Sequence, residues 1–243
     1  MRLCLAGLNS IRQENHDILK SVPFVLESFY YIKDFQIPLI REAELFLLDS
    51  GAFTFMQNSK KNVDWDEYLD KYIAFVNAHD VQYFFELDID ALVGYERVKQ
   101  LRKRLESETQ KKCIPVWHKS RGVDEFKRLV EDYDYIGIGG FAIKDISREE
   151  YPKIMQLVKY AKQHGTKVHG LGYTKSDVTK YGFFSADSTT WNRSRFGDCC
   201  VFENGRMKYV QRRTKRLKIE SLPQVEAFNI TEWIKYQNYL RRF

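Results

Sequence analysis

The chain has 243 residues, 44% of them hydrophobic and 15% aromatic, and its 39 basic and 33 acidic side chains give a formal charge of +6. With only 5 Pro and 13 Gly the composition excludes a disordered chain, and no uncharged apolar run approaches the ~18 residues a membrane span needs. The length lies within the ~200–250 residues that barrels use as one unit, so residues 1–243 read as a single domain.

The N-terminal stretch, with Leu3–Leu8 as its apolar part, reads as a first strand rather than a signal peptide, which has a longer apolar stretch. A second strand is expected at Leu45–Asp49, followed by a helix over Trp65–Ala78. Strand and helix then alternate: Tyr83–Ile89, Tyr95–Glu106, Ile114–Trp117, Asp124–Glu131, Tyr135–Gly139 and Glu149–His164. Gly165 stands where a helix C-cap belongs. Strands Lys167–Leu171 and Phe183–Ala186 follow. A basic segment, 206–218, occupies the stretch where a last βα unit should close a barrel, and the tail 231–243 reads as an amphipathic helix through Trp233, Ile234, Tyr236, Gln237 and Leu240. The four cysteines, Cys4, Cys113, Cys199 and Cys200, form neither a disulfide framework nor a CxxC pair, which points to a reduced, cytoplasmic setting.

Strands separated by helices argue for parallel βα units, in an open doubly wound sheet or a closed barrel. The positions of the polar and small residues favour the barrel. Asp49, Asp88, Asp90, His118, Gly139, Gly140, Gly170, Gly172 and Asp187 all fall at or just past the C-terminal end of a predicted strand. In a (β/α)8 barrel of TIM type those ends converge on one face, whereas an open sheet gathers only those at its switch point. The expectation is therefore an α/β chain forming a (β/α)8 barrel with an irregular last unit.

Several of these residues carry chemistry. Glu86, Asp88 and Asp90 alternate with aliphatics, so a strand places all three on one face. Buried carboxylates are costly without partners, which points to a ligand rich in N–H donors or to a metal. Asp49 and Asp187 each stand between an apolar strand and a turn of small residues; carboxylates gathered at one mouth raise one another's pKa, which suits one as nucleophile and another as proton carrier. His118 is a candidate base or ligand-recognition group, and Gly139-Gly140 and Gly172 expose backbone to a flat ligand. Neither a P-loop nor a GxGxxG pattern occurs, no Cys/His cluster offers a zinc site, and no cofactor is expected. Arg206, Lys208, Arg212, Arg213, Lys215 and Arg216 form the footprint of a phosphate-binding surface, the alternative being a solvated charged face.

Taken in order, Leu48-Asp49-Ser50-Gly51-Ala52-Phe53, Asp88, Ile138-Gly139-Gly140-Phe141-Ala142 and Gly170-Leu171-Gly172 followed by Asp187 resemble the motifs of the tRNA-guanine transglycosylases, and more closely their compact phage and bacterial relatives that act on DNA. The chain departs from the tRNA enzymes in having Trp117-His118 where they carry Gln, and in lacking their C-terminal Cys3His zinc site. The resemblance implies exchange of guanine in DNA for a free 7-deazaguanine base, in a bacterial or phage-infected cell, with single-stranded or base-flipped DNA as partner. It implies Asp187 as the nucleophile that forms a covalent glycosyl-aspartate, and Asp49 as the proton carrier. Asp88 and Asp90 would then bind the base together with His118, Gly139, Gly140 and Gly172, while Phe53, Tyr173 or Trp191 stack on it. The alternatives are a tRNA-guanine transglycosylase, a metal-dependent barrel hydrolase or lyase using Asp49, Asp88, Asp90 and Asp187, and a non-catalytic nucleic-acid-binding barrel.

Overall fold

The structure is a computed structural model that describes residues 1–51, 54–55, 63–173, 178–210 and 222–243. Seven strands form one parallel sheet: β1 (Arg2–Ala6), β2 (Phe24–Ser28), β3 (Leu45–Asp49), β4 (Val116–Trp117), β5 (Tyr135–Ile138), β6 (Lys167–Gly170) and β7 (Ser185–Ser188). Their spatial order is β3-β2-β1-β7-β6-β5-β4, so the first strand lies at the centre between β2 and β7. The longer helices flanking the sheet are α1 (Trp65–Ala78), α2 (Tyr95–Thr109), α3 (Gly122–Asp132), α4 (Tyr151–Gln163) and α5 (Leu222–Leu240). Asp64 caps α1, its carboxylate accepting from the amides of Asp66 at 3.0 Å and Glu67 at 3.1 Å.

The sheet curls, and alternation along its strands feeds two cores. Leu3, Leu5, Val25, Phe46 and Leu48 pack with helix residues such as Leu69, Tyr72, Val98, Phe126 and Ile154. Their neighbours in sequence, Cys4, Ala6, Phe24, Leu26, Leu45 and Leu47, pack instead with Phe85, Ile114, Val116 and Tyr135 in a second core that, among the described residues, contains no helix residue. That second core fills the inside of the curl. Because side chains repeat every two residues, Asp49 continues the inner row of Leu45 and Leu47, His118 that of Val116, and Asp187 that of Ser185. The inner rows therefore end in polar groups at the C-terminal edge of the sheet.

The fold differs from a closed eight-strand barrel. The stretch expected as strand Tyr83–Ile89 makes only single parallel bridges, Phe84 to Leu48 on β3 and Phe85 to Ile114 just before β4. The reason lies in Glu86. Its Oε1 accepts from the amide of Val116 at 2.8 Å, replacing the backbone carbonyl that a regular ladder would supply, and by Asp90 the chain has turned into a short helix. A strand that was not expected lies at Phe24–Ser28, with Glu27 next to its C-terminal end.

The C-terminal part also departs from expectation. The stretch expected as a last βα unit begins instead as an antiparallel hairpin, β8 (Cys199–Glu203) and β9 (Arg206–Val210), turning through Asn204 and Gly205 at φ of 51° and 75°. Arg206 and Lys208 are exposed on β9, and Lys208 pairs with Glu203 across the hairpin. Arg212, Arg213, Lys215 and Arg216 lie outside the described residues. Helix α5 starts at Leu222, well before the expected 231–243, and its buried face is partly polar. There Glu226 holds Arg12 at 2.7 Å, Asn229 accepts from the amide of Cys200 at 2.7 Å, and Gln237 donates to the carbonyls of Leu3 and Phe24, each at 2.8 Å. No helix among the described residues is long and apolar enough to cross a membrane.

Candidate functional site

Asp49 and Asp187 are held by the same device. Gly51, at φ 79°, donates its N–H to Asp49 Oδ2 at 2.9 Å; Gly172, at φ 68°, donates to Asp187 Oδ1 at 2.7 Å. Both turns need glycine. A Cβ on Gly51 would lie 2.6 Å from that of Tyr30, and one on Gly172 would lie 2.9 Å from that of Ala142, besides the left-handed backbone. Burial is the largest influence on Asp49 and pushes its pKa up to about 6; the amide of Gly51 works against this, and the charges of Asp187 and Asp88 add to it. Asp49, Asp88 and Asp187 are thus near enough to feel one another. Behind Asp187 stands His169, fully buried, with Nε2 at 3.2 Å from Asp187 Oδ1 and Nδ1 at 2.6 Å from Ser185 Oγ. Ser185 Oγ is hydrogen-bonded in turn to the hydroxyl of Tyr135.

The second half of the site is charged on both sides. Both oxygens of Asp88 lie 2.9 Å from His118 Nε2. Arg121, only 3% exposed, reaches Glu86 at 3.2 Å, Asp88 at 3.4 Å and Asp90 at 2.9 Å, while its guanidinium lies 4.1 Å from the centre of the Tyr95 ring. Arg102 adds a contact to Glu86 at 3.4 Å. Burial, the largest influence on His118, lowers its pKa, but the hydrogen bond and charge of Asp88 outweigh it and the net shift is upward. For Glu86 burial prevails: its pKa is raised even with Arg102 and Arg121 beside it.

Glycine at position 139 serves His118. A Cβ there would sit 2.4 Å from the imidazole Cε1, so the bare backbone lets the ring lie against it. Its amide donates to the carbonyl of Trp117 at 2.9 Å and is committed to the sheet, while Gly140 turns the chain at φ 99°. Tyr173 and Trp191 are buried in the larger core, and Trp191 Nε1 donates to the carbonyl of Ala6 at 2.8 Å; neither is placed to stack on a ligand. Phe53 lies outside the described residues.

The sequence had given no sign of Arg121 or His169. Arg121 sits in a polar turn and finds its carboxylates about 30 residues upstream, a separation without a local pattern. His169 looks like one more alternating strand residue, and only the register of β6 with β7, which sets His169 beside Ser185, reveals its partner.

Among the described residues, Asp88, Asp90 and His118 each offer an atom within 4.8 Å of the others, a donor set that suits a divalent cation. The guanidinium of Arg121 bonds to both carboxylates and supplies the positive charge at that place. The arrangement can carry a proton on Asp49, hold one oxygen of Asp187 between the amide of Gly172 and the ring of His169, and offer hydrogen-bond acceptors at Asp88 and Asp90. No protein-family model and no curated protein matches this chain.

Proposed function

We propose that the protein is a nucleic-acid guanine transglycosylase that exchanges guanine in DNA for a 7-deazaguanine base, on a TIM-type barrel frame. The observation that carries this reading is the pairing of two aspartates of unlike character at one strand edge. Asp49 has a pKa of about 6, suited to give and take a proton near neutrality, while Asp187 has one oxygen fixed by the amide of Gly172 and by His169.

The chemistry is a double displacement at the nucleoside C1′. Asp187 attacks C1′ as the bond to guanine N9 breaks through an oxocarbenium-like state, and Asp49 protonates the departing base. The incoming 7-deazaguanine gives its N9 proton back to Asp49 and displaces Asp187, restoring the enzyme. Asp88, with Asp90 beside it, accepts hydrogen bonds from the donor edge of the base, and His118 and Arg121 hold these acceptors in place. Guanine inside a duplex cannot reach this edge, so a flipped or single-stranded base is the substrate. Arg206 and Lys208 on β9, with Arg212, Arg213, Lys215 and Arg216 beyond it, bind the phosphates.

The test is incubation of the protein with radiolabelled guanine and either DNA or tRNA. Label entering DNA, with loss of that activity in Asp187→Ala, is the expected result. Label entering tRNA alone would transfer the reading to the RNA enzymes. Label in neither, or full activity in Asp187→Ala, would overturn it. Undiminished exchange in excess chelator would separate this reading from a metal enzyme built on Asp88, Asp90 and His118.

A further inference from the structure

We infer that His169 is a positioning residue for Asp187, and that the buried line Tyr135–Ser185–His169 sets which oxygen of Asp187 attacks. The inference rests on the nucleophilic role proposed for Asp187. Three observations carry it. His169 is completely buried on the inner face of the sheet, where its ring meets Phe85 edge-on at 5.3 Å, so it has no access to solvent. Each of its ring nitrogens has a partner, Asp187 Oδ1 on one side and Ser185 Oγ on the other. Ser185, also fully buried, continues to the hydroxyl of Tyr135 at the start of β5.

The direction of the line follows from counting protons. The phenol of Tyr135 donates to Ser185 Oγ, the hydroxyl of Ser185 donates to His169 Nδ1, and the remaining N–H of the imidazole, on Nε2, donates to the carboxylate. Every donor then has an acceptor, and the imidazole is the Nε2–H tautomer. With a neutral imidazole, reversing the line would put a proton on Asp187, the group required to act as a nucleophile. Both the His169 bond and the amide of Gly172 fall on Oδ1. They fix the plane of the carboxylate and leave the attack on C1′ to Oδ2. The partner that fixes a tautomer counts in catalysis even though it never touches substrate.

The experiment compares His169→Phe, which keeps a ring against Phe85 but removes both nitrogens, with His169→Gln, whose amide N–H can stand in for Nε2–H. Each is assayed for guanine exchange and for thermal melting, alongside wild type and Asp187→Ala. His169→Phe is expected to lose about 10- to 100-fold in kcat, the worth of one hydrogen bond to a charged group, with KM for DNA unchanged. His169→Gln is expected to recover most of that loss. A folded His169→Phe with wild-type kcat, or a folded His169→Gln no better than it, overturns the positioning role while Asp187→Ala, still inactive, keeps the transglycosylase reading intact. A second readout needs no activity: the ring 15N signals of His169, assigned by their absence in His169→Gln. A proton on Nε2 and none on Nδ1, with Nδ1 shifting in Ser185→Ala, is the expected pattern. A proton on Nδ1 contradicts the line even where the wild type shows no exchange.

Discussion

The two halves of the carboxylate site solve one physical problem in opposite ways. Around Glu86, Asp88 and Asp90 the acids are matched by Arg121, Arg102 and His118, a dense set of opposite charges in which the side chain of Arg121 is only 3% exposed. At Asp49 and Asp187 the hydrogen bonds come from the amides of Gly51 and Gly172 and from one buried imidazole, none of them a guanidinium or ammonium. The consequence shows at Asp49, whose pKa rises to about 6 chiefly because it is buried. A matched carboxylate is a fixed acceptor, suited to recognising a base. Of the two unmatched aspartates, Asp49 is the one burial suits to the proton-carrying role proposed for it, while Asp187 has one oxygen held by the amide of Gly172.

Removing the match tests the first half and should give the largest effect. Arg121→Met leaves Glu86, Asp88 and Asp90 without their shared partner and is expected to cost about 3–5 kcal/mol of stability, as breaking a buried ion pair does. For a chain of this size that is a fall in Tm of about 6–20 °C, read by calorimetry. A loss below about 1 kcal/mol would mean that the three acids discard their charge by protonation, and the contrast between the halves would collapse.

Glu27 extends the comparison to a third unmatched acid. It is fully buried on β2, accepts from the amide of Leu8 at 3.0 Å, and burial raises its pKa from 4.5 to about 8. The folded state therefore holds a proton that the unfolded chain has released, and the stability this gives is full below about pH 4.5 and is lost as pH rises through 8. Glu27→Gln, which resembles the protonated acid, is expected to remove this slope and to be the more stable form above pH 8, by at most about 5 kcal/mol. Urea titrations at several pH values check it; parallel slopes for the two proteins would show that Glu27 is ionised when folded.

In the sequence, Asp49, His118 and Asp187 stood out because each follows a short apolar run at a strand end, and such a run is a local property. The arginine that separates the two halves did not, since the guanidinium of Arg121 crosses to acids on another element. The same holds for the sheet. Apolar runs marked most strands, but Glu27 broke the pattern of β2, and at Glu86 a side chain took over a backbone hydrogen bond, reducing an expected strand to two single bridges. In α5 the buried face includes Glu226, Asn229 and Gln237, whose polarity hid the helix start from any hydrophobic period. The hairpin carried its own signal in Asn204-Gly205, obscured by the basic residues around it.

The division of roles between Asp49 and Asp187 is tested most directly by single-turnover formation of the covalent intermediate, without incoming base, followed as a function of pH and mapped by mass spectrometry. The account predicts a DNA adduct on Asp187 whose rate of formation falls as pH rises through about 6, because Asp49 must hold its proton to release guanine. An adduct on Asp49, or a rate on Asp187 that stays flat through that pH range, would contradict it.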